Sequence, residues 1–231
     1  MLPFLLGAGA GVMLNACFSG VALLESCAYV SPFAQNSQNS VVALDITQHR
    51  SVLFGAYSSN YGRITIELFD NVLPVSATNF RELCRGGQGS SGTGHSLCYS
   101  RTLFTADADF VKGGDVTFGS APGGWSIYGQ YFFESPNKEN GGADSRKGLV
   151  YAVARDSRVG SEFMIKVTDS THEPRRAALG QVLDGYDVLQ RMHQRCRRYP
   201  PRLVWYTVTH AHVLKEAKTP KLRKGWRLMS F

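Results

Sequence analysis

The stretch CYSRTLFTADADFVKGGD, residues 98–115, contains the strongest candidate for a chemically active side chain. It sets Arg101 ahead of a Phe-Val-Lys run that ends in two glycines and Asp115. A fixed guanidinium donates charge-assisted hydrogen bonds, so it can stabilise a charge or lone pair that develops on a bound molecule. Whether Arg101 acts in this way depends on the residues that surround it.

Histidine and cysteine spacing gives no second candidate. The six histidines are scattered, and His210 and His212 share one face of a predicted strand without a third ligand nearby. The five cysteines show no CxxC spacing, which disfavours both a zinc site and a disulfide framework. We therefore expect no metal site, no cofactor and reduced thiols.

The positive charge of the chain is concentrated at its C-terminal end. Residues 191–231 hold 11 Lys or Arg and one acid, Glu216, whereas the preceding residues carry 14 basic and 17 acidic side chains. The last residues form a predicted basic arm, 218–231, whose cations include Lys221, Arg223, Lys224 and Arg227. Such an arm suits an anionic partner, and a tail that charge merely keeps soluble is the competing interpretation.

The N-terminal segment is apolar over most of its length. Residues 1–30 contain one ionisable side chain, Glu25, and residues 2–24 are long enough to cross a bilayer core of ~30 Å as a helix. Gly7 and Gly11 have the spacing that lets helices approach closely in lipid. We predict a transmembrane helix here, the alternative being a helix buried against a partner protein. Residues 31–40 are polar and predict a linker.

In the body of the chain, residues 41–217, apolar and polar residues alternate as they do in a β-rich domain. Strands are predicted at residues 41–47, 61–69, 109–112, 148–154, 162–167, 177–182 and 204–214, with an extended hairpin connection between the first two. Helices are predicted from Pro74 to the glycines at 86–87 and over residues 186–196. This pattern predicts an all-β dominated domain, a closed barrel with helices over its ends.

Several ordered motifs in residues 41–214 resemble the cyclophilins, the cyclosporin-binding prolyl isomerases. GRITIELFDNVLPVSATNFRELCRGGQG is similar to a strand, helix and turn of that family, and GGWSIYG to its G-x-S-I-Y-G loop. KGLVYAVA and GSEFMIKVTD resemble the family's G-x-L-S-M-A-N and NGSQFFI. The resemblance implies an eight-stranded antiparallel barrel capped by two helices. It also places Arg101, in CYSR, at the family's catalytic arginine.

The resemblance also implies a site that has departed from the family pattern. A prolyl isomerase must favour the twisted Xaa-Pro amide, whose barrier is ~20 kcal/mol, and must hold the proline ring in an apolar pocket. Lys112 stands at a glutamine position, Glu162 at another, and Ala154 at an asparagine position. The remaining groove positions are Phe110, Met164, which replaces a phenylalanine, Thr171 at the tryptophan and Arg176 at the histidine. We expect Glu162 to form ion pairs with Arg101, Lys112 or Arg176 that occupy the groove.

These observations leave three functions open. The first is a cyclophilin-like accessory subunit of a larger membrane-bound complex, with other protein subunits and lipid as its partners, little or no isomerase activity and a mitochondrial inner-membrane location. The second is an active, membrane-anchored prolyl isomerase that assists protein folding. The third is a ribosome-associated or other RNA-associated accessory protein, in which the basic arm contacts nucleic acid.

Overall fold

The computed structural model describes residues 29–135, 146–170 and 177–218. Within these residues the chain forms a closed antiparallel barrel of eight strands in the order β1-β2-β7-β5-β6-β4-β3-β8, with two helices. The expected barrel and its two helices are therefore confirmed. The strands are β1 Val41–Val52, β2 Gly55–Leu68, β3 Leu103–Ala106, β4 Phe110–Gly113, β5 Leu149–Arg155, β6 Arg158–Lys166, β7 Gly180–Asp184 and β8 Val204–Lys215.

The interior of the barrel is filled by the apolar residues of each alternating strand. Phe163 on β6 lies in this core with its ring 5.0 Å from Phe80 and 5.5 Å from Tyr99. This packing requires glycine at positions 113 and 114, because a Cβ at either residue would lie within 3 Å of a ring atom of Phe104 or Phe163. The Gly-Gly pair after β4 is therefore required by close packing in the core.

Helix α1 spans Pro74–Arg85, as the proline and the glycines predict. Its N-terminus has no cap from its own flanking residue. The carboxylate of Glu134 instead accepts the N–H groups of Val75 and Ser76 at 2.7 and 2.8 Å. A distant acid thus satisfies two of the orphan donors at the positive end of the helix. Helix α2 spans Tyr186–Arg198, two residues beyond the predicted end.

The predicted hairpin connection between the first two strands is itself strand. β1 continues to Val52 and β2 begins at Gly55, so only Leu53 and Phe54 remain as a turn. Residues 51–58 are exposed on both faces of the hairpin. This end of the hairpin therefore projects from the barrel body into solvent.

The segment predicted to be a linker is held against the barrel. Asn36 N–H and the side-chain amide of Asn39 both donate to the buried carboxylate of Glu67 at 2.8 Å. Gln181 on β7 donates to Glu67 at 2.8 Å and bonds both backbone groups of Phe33. Glu67 is fully buried and satisfied by these amide donors, so it ties residues 33–39 to the barrel wall.

The predicted transmembrane helix, with Gly7 and Gly11, lies outside the described residues, apart from its last two positions. The same holds for the cations of the basic arm, Lys221, Arg223, Lys224 and Arg227. Neither helix of the described part of the chain combines the length and apolarity needed to cross a bilayer.

Candidate functional site

Arg101 has an unusual backbone conformation just before β3. The Tyr99–Thr102 turn is closed by Thr102 N–H donating to the Tyr99 carbonyl at 3.1 Å, and Arg101 has φ of 73°. Arg101 N–H donates to the Val208 carbonyl, and Val208 N–H donates to the Thr102 carbonyl. Two residues thus face one residue of β8, the arrangement of a β-bulge whose first position favours glycine. An arginine there stores strain of about 1–2 kcal/mol.

The Arg101 side chain is exposed, and the described residues provide it with no ion pair. The prediction that Glu162 neutralises Arg101 is therefore wrong for this part of the chain. The turn and the bulge present the guanidinium to solvent instead. This geometry leaves its donors available for a bound molecule.

Lys112 also differs from its predicted role. Its ammonium lies 2.7 Å from Asp107 in the β3–β4 connection, and both side chains are 45% exposed. No described ion pair joins it to Glu162. Because Asp107 belongs to the longer loop that this chain has before Phe110, the extra residues supply the partner of the lysine. The Lys112 ammonium holds the pKa of Asp107 below its ordinary value, together with N–H donors from Asp109 and Phe110 and against the effect of burial.

Glu162 is half-buried and has no ion pair among the described side chains. Burial raises its carboxyl pKa above the ordinary value, and the neighbouring Asp115 raises it further. Arg155 and Lys112 act in the opposite direction, but their effect is smaller than that of burial. Glu162 is therefore a desolvated acid that repels anionic and carbonyl groups near it.

The apolar residues of the candidate site pack against one another. Met164 on β6 is directly opposite Tyr151 on β5 and Lys112 on β4, so these three side chains share the outer face of the barrel. Phe110, two residues before Lys112, lies on the same face. Phe110 and the fully buried Tyr151 pack edge to face at 6.4 Å, in a small cluster with Leu149, Ala178 and Met164.

Tyr151 is the site residue that the sequence reasoning missed. The family's G-x-L-S-M-A-N pattern has serine at this position. The strand pattern could have identified it. Tyr151 lies between Val150 and Ala152 in a strand whose even-numbered positions face the core, so its own side chain faces outward. A tyrosine in place of serine on the outer face adds a ring beside the two predicted pocket residues, Phe110 and Met164.

The other predicted groove residues are Ala154, Thr171 and Arg176. Ala154 lies near the end of β5, and its side chain has no polar group for a peptide backbone. Thr171 and Arg176 lie outside the described residues. A crevice beside Glu162, bordered by Asn79 and Gly160, has a volume of about 10 Å³. That is room for one water molecule and not for a proline ring.

Cysteine and metal chemistry is not supported by the described residues. They contain no group of three His, Cys, Asp or Glu side chains close enough to hold an ion. Burial raises the pKa of the Cys84 thiol well above its ordinary value and that of Cys196 to about 11. These two thiols therefore stay protonated and poorly reactive at neutral pH.

Comparison with known proteins agrees with this geometry. Residues 55–213 match the model of the family described as cyclophilin type peptidyl-prolyl cis-trans isomerase/CLD. A human protein named "Probable inactive peptidyl-prolyl cis-trans isomerase-like 6" is 30% identical over 169 residues, which cover 71% of this chain and 50% of that protein. The chain thus spans about half the length of this curated relative. With its barrel, its two helices and Arg101 in place, the chain belongs to the cyclophilin-type peptidyl-prolyl cis-trans isomerase family.

Proposed function

We propose that this protein is a cyclophilin-like accessory subunit of a larger membrane-bound complex, with little or no prolyl isomerase activity. The observation that carries the loss of activity is the buried ring of Tyr151 packed beside Phe110 and Met164. A proline ring would need the space that this cluster occupies. The human relative is named as a probable inactive isomerase, and this name supports the same conclusion for this chain.

The electrostatics of the groove also support weak turnover. Binding of the residues that flank a prolyl bond requires polar groups aimed at the peptide backbone. The side chain of Ala154 supplies none, Glu162 is a partly desolvated acid, and Lys112 is paired with Asp107. Of Arg101, Lys112 and Glu162, only Arg101 retains the family residue, and one donor without a positioned substrate gives little acceleration.

The complex, its membrane and its compartment are inferred from the sequence. The apolar residues 2–24 suit a membrane or a protein interface, and the basic arm suits an anionic surface. We propose the mitochondrial inner membrane as the location and other subunits of the complex as the partners. Mass measurement after mild detergent extraction, with the mass of bound detergent subtracted, tests the subunit role: we expect a protein mass well above the chain mass of 25.4 kDa. A protein mass equal to one chain contradicts it.

A prolyl-peptide isomerisation assay on the purified full chain tests the loss of activity. We expect the spontaneous rate, unchanged in Arg101→Ala and in the matched control Arg158→Ala. Acceleration above background that disappears in Arg101→Ala and persists in Arg158→Ala would establish an active isomerase instead.

One observation favours that second candidate, a membrane-anchored isomerase that assists folding. Arg101 is exposed, has no ion pair among the described side chains and adopts a strained backbone conformation. Strain of this kind is often retained at functional sites. The assay above separates the two proposals. The RNA-associated alternative rests on the basic arm alone and predicts RNA binding that weakens steeply with salt.

A further inference from the structure

The projecting end of the β1–β2 hairpin exposes an apolar tip. Leu53 and Phe54 form the two-residue turn and are 90% and 95% exposed, and the neighbouring Val52 and Tyr57 are also exposed. Single exposed apolar residues are ordinary on protein surfaces, but a group of four at the end of a projecting hairpin marks an interaction surface. The barrel core does not account for these side chains, since residues 51–58 are exposed on both faces.

A basic rim borders this tip. Ser51 N–H donates to the Leu203 carbonyl at 2.9 Å, which joins the hairpin to the loop that follows α2. Residues 48–60 and 194–203 contain no Asp or Glu and carry five arginines. These basic-rim residues are Arg50, Arg195, Arg197, Arg198 and Arg202. Within the described part of the chain, none of the five forms an ion pair with an acid.

Local structure explains only part of this charge. Arginines in the last turn of α2 interact favourably with the negative end of the helix. Arg50 lies on β1 and Arg202 lies in the following loop, so the helix dipole accounts for neither. It also does not explain why Leu53 and Phe54 are exposed to solvent beside these basic residues.

We propose that the hairpin tip and the basic rim form a docking surface for an anionic lipid bilayer. Val52 and Gly55 pair across the turn, so the two strands stay joined up to the tip, and the headgroup region retains water that can bond the outward-facing backbone groups. Arg50 lies three residues behind Leu53, roughly 10 Å along the strand. When an apolar tip enters by ~5–10 Å, arginines at that distance reach the lipid phosphates.

The chemistry favours lipid over nucleic acid. Phe54 and Tyr57 could stack on bases, but Val52 and Leu53 are aliphatic and could not, whereas apolar burial in lipid accounts for the exposure of all four side chains. The surface lies on the folded barrel and is separate from residues 1–28. The inference therefore does not depend on the proposed role of the chain as an inactive subunit.

Co-sedimentation of the full chain with vesicles tests the proposal. The probes are phosphatidylcholine vesicles with and without phosphatidylserine. We expect Leu53→Ser with Phe54→Ser to weaken binding to the anionic vesicles by at least about tenfold. Changing Arg195, Arg197 and Arg198 to glutamine should weaken it by about a hundredfold, since each arginine contributes roughly fivefold. Phe133→Ser and Arg158→Gln, an exposed ring and an exposed cation elsewhere, should leave binding unchanged.

Binding through residues 1–28 or the basic arm would be the same in every variant. The difference in binding between the variants and the wild type therefore tests the proposal. The proposal would be overturned if the wild type, the tip variant and the rim variant bound the anionic vesicles equally well. Quenching by brominated phospholipid gives an independent readout: Phe54→Trp should be quenched more than the wild type, and equal quenching would contradict insertion of the tip. Tip-dependent binding to RNA or to an acidic protein, without binding to vesicles, would also overturn it.

Discussion

At the scale of single residues, Tyr151 separates this chain most clearly from the pattern of its family. Its ring is fully buried on the outer face of the barrel, beside Phe110 and Met164. The side chain contributes to stability as well as to the proposed loss of the site. Its energetic and functional effects can therefore be measured separately.

Tyr151→Ser should lower the free energy of unfolding by about 3 kcal/mol or more, because it removes a buried aromatic ring and leaves a cavity. Urea unfolding of the full chain measures the loss. Tyr57→Ser is the matched control, and we expect a change within about 0.5 kcal/mol there because Tyr57 is exposed. Equal effects of the two substitutions would show that Tyr151 is not packed as described.

The positive φ of Arg101 gives a second prediction at this scale. The free energy of unfolding of Arg101→Gly should be about 1 kcal/mol larger than that of Arg101→Ala, because glycine adopts a φ of 73° without the steric cost. Arg158 begins β6 and is not among the residues with positive φ. There the order should reverse, with the glycine variant less stable. The same order at both positions would contradict a left-handed Arg101.

Glu162 gives a prediction about pH. Its pKa is raised above the unfolded value near 4.5, mainly by burial, so the ionised carboxylate destabilises the fold at neutral pH. The folded state binds the proton more tightly, and stability due to this group falls as pH rises through the raised pKa. Glu162→Gln should therefore be more stable than the wild type at neutral pH, and the gain should vanish below pH 4.5. Asp156→Asn, an exposed acid with no ion pair among the described side chains, reports the general effect of losing one negative charge.

At the scale of elements, the sequence predicted most of the barrel and both helices. Alternation placed most of the strands within a few residues, and Pro74 with the glycines at 86–87 set the bounds of α1. β3 was missed because Leu103–Ala106 is only four residues long, and one of its two neighbours in the barrel, β8, is far away in sequence. The polar residues 31–40 gave no sign that Glu67 and Gln181 hold them, since those bonds join residues up to 148 apart.

The candidate site was predictable only as a set of positions. Motif order placed Phe110, Lys112, Glu162 and Met164 together on adjacent strands, and the structure places Lys112 and Met164 directly opposite each other. The ion-pair partners of these side chains were not predictable. Asp107 pairs with Lys112 because the lengthened β3–β4 loop returns toward β4, a geometry that spacing alone does not define.

The N-terminus of α1 depends on Glu134, a residue far from the helix in sequence. Glu134→Ala should lower the free energy of unfolding by about 1–2 kcal/mol, because two partly buried N–H groups lose a charged acceptor. Asp187→Ala, in the first turn of α2, is the control. Asp187 pairs only with the exposed Arg191, so the loss should be about 0.5 kcal/mol or less. A larger effect at Asp187 than at Glu134 would contradict the capping role.

At the scale of the whole molecule, the segments proposed to bind partners or lipid use residues other than those of the candidate groove. The hairpin tip and the basic rim belong to the folded barrel, and the apolar residues 2–24 and the basic arm belong to the two terminal segments of the sequence. The groove residues Phe110, Tyr151 and Met164, in contrast, pack against one another. This distribution fits a family fold retained as a scaffold.

The most direct test of this account is an NMR titration of the full chain with a short Xaa-Pro peptide, observing the methyl group of Met164. If Tyr151 fills the pocket, the Met164 signal should stay in place and the peptide should show no added cis–trans exchange. A saturable shift of the Met164 methyl, with exchange that Arg101→Ala abolishes, would show an open and working site.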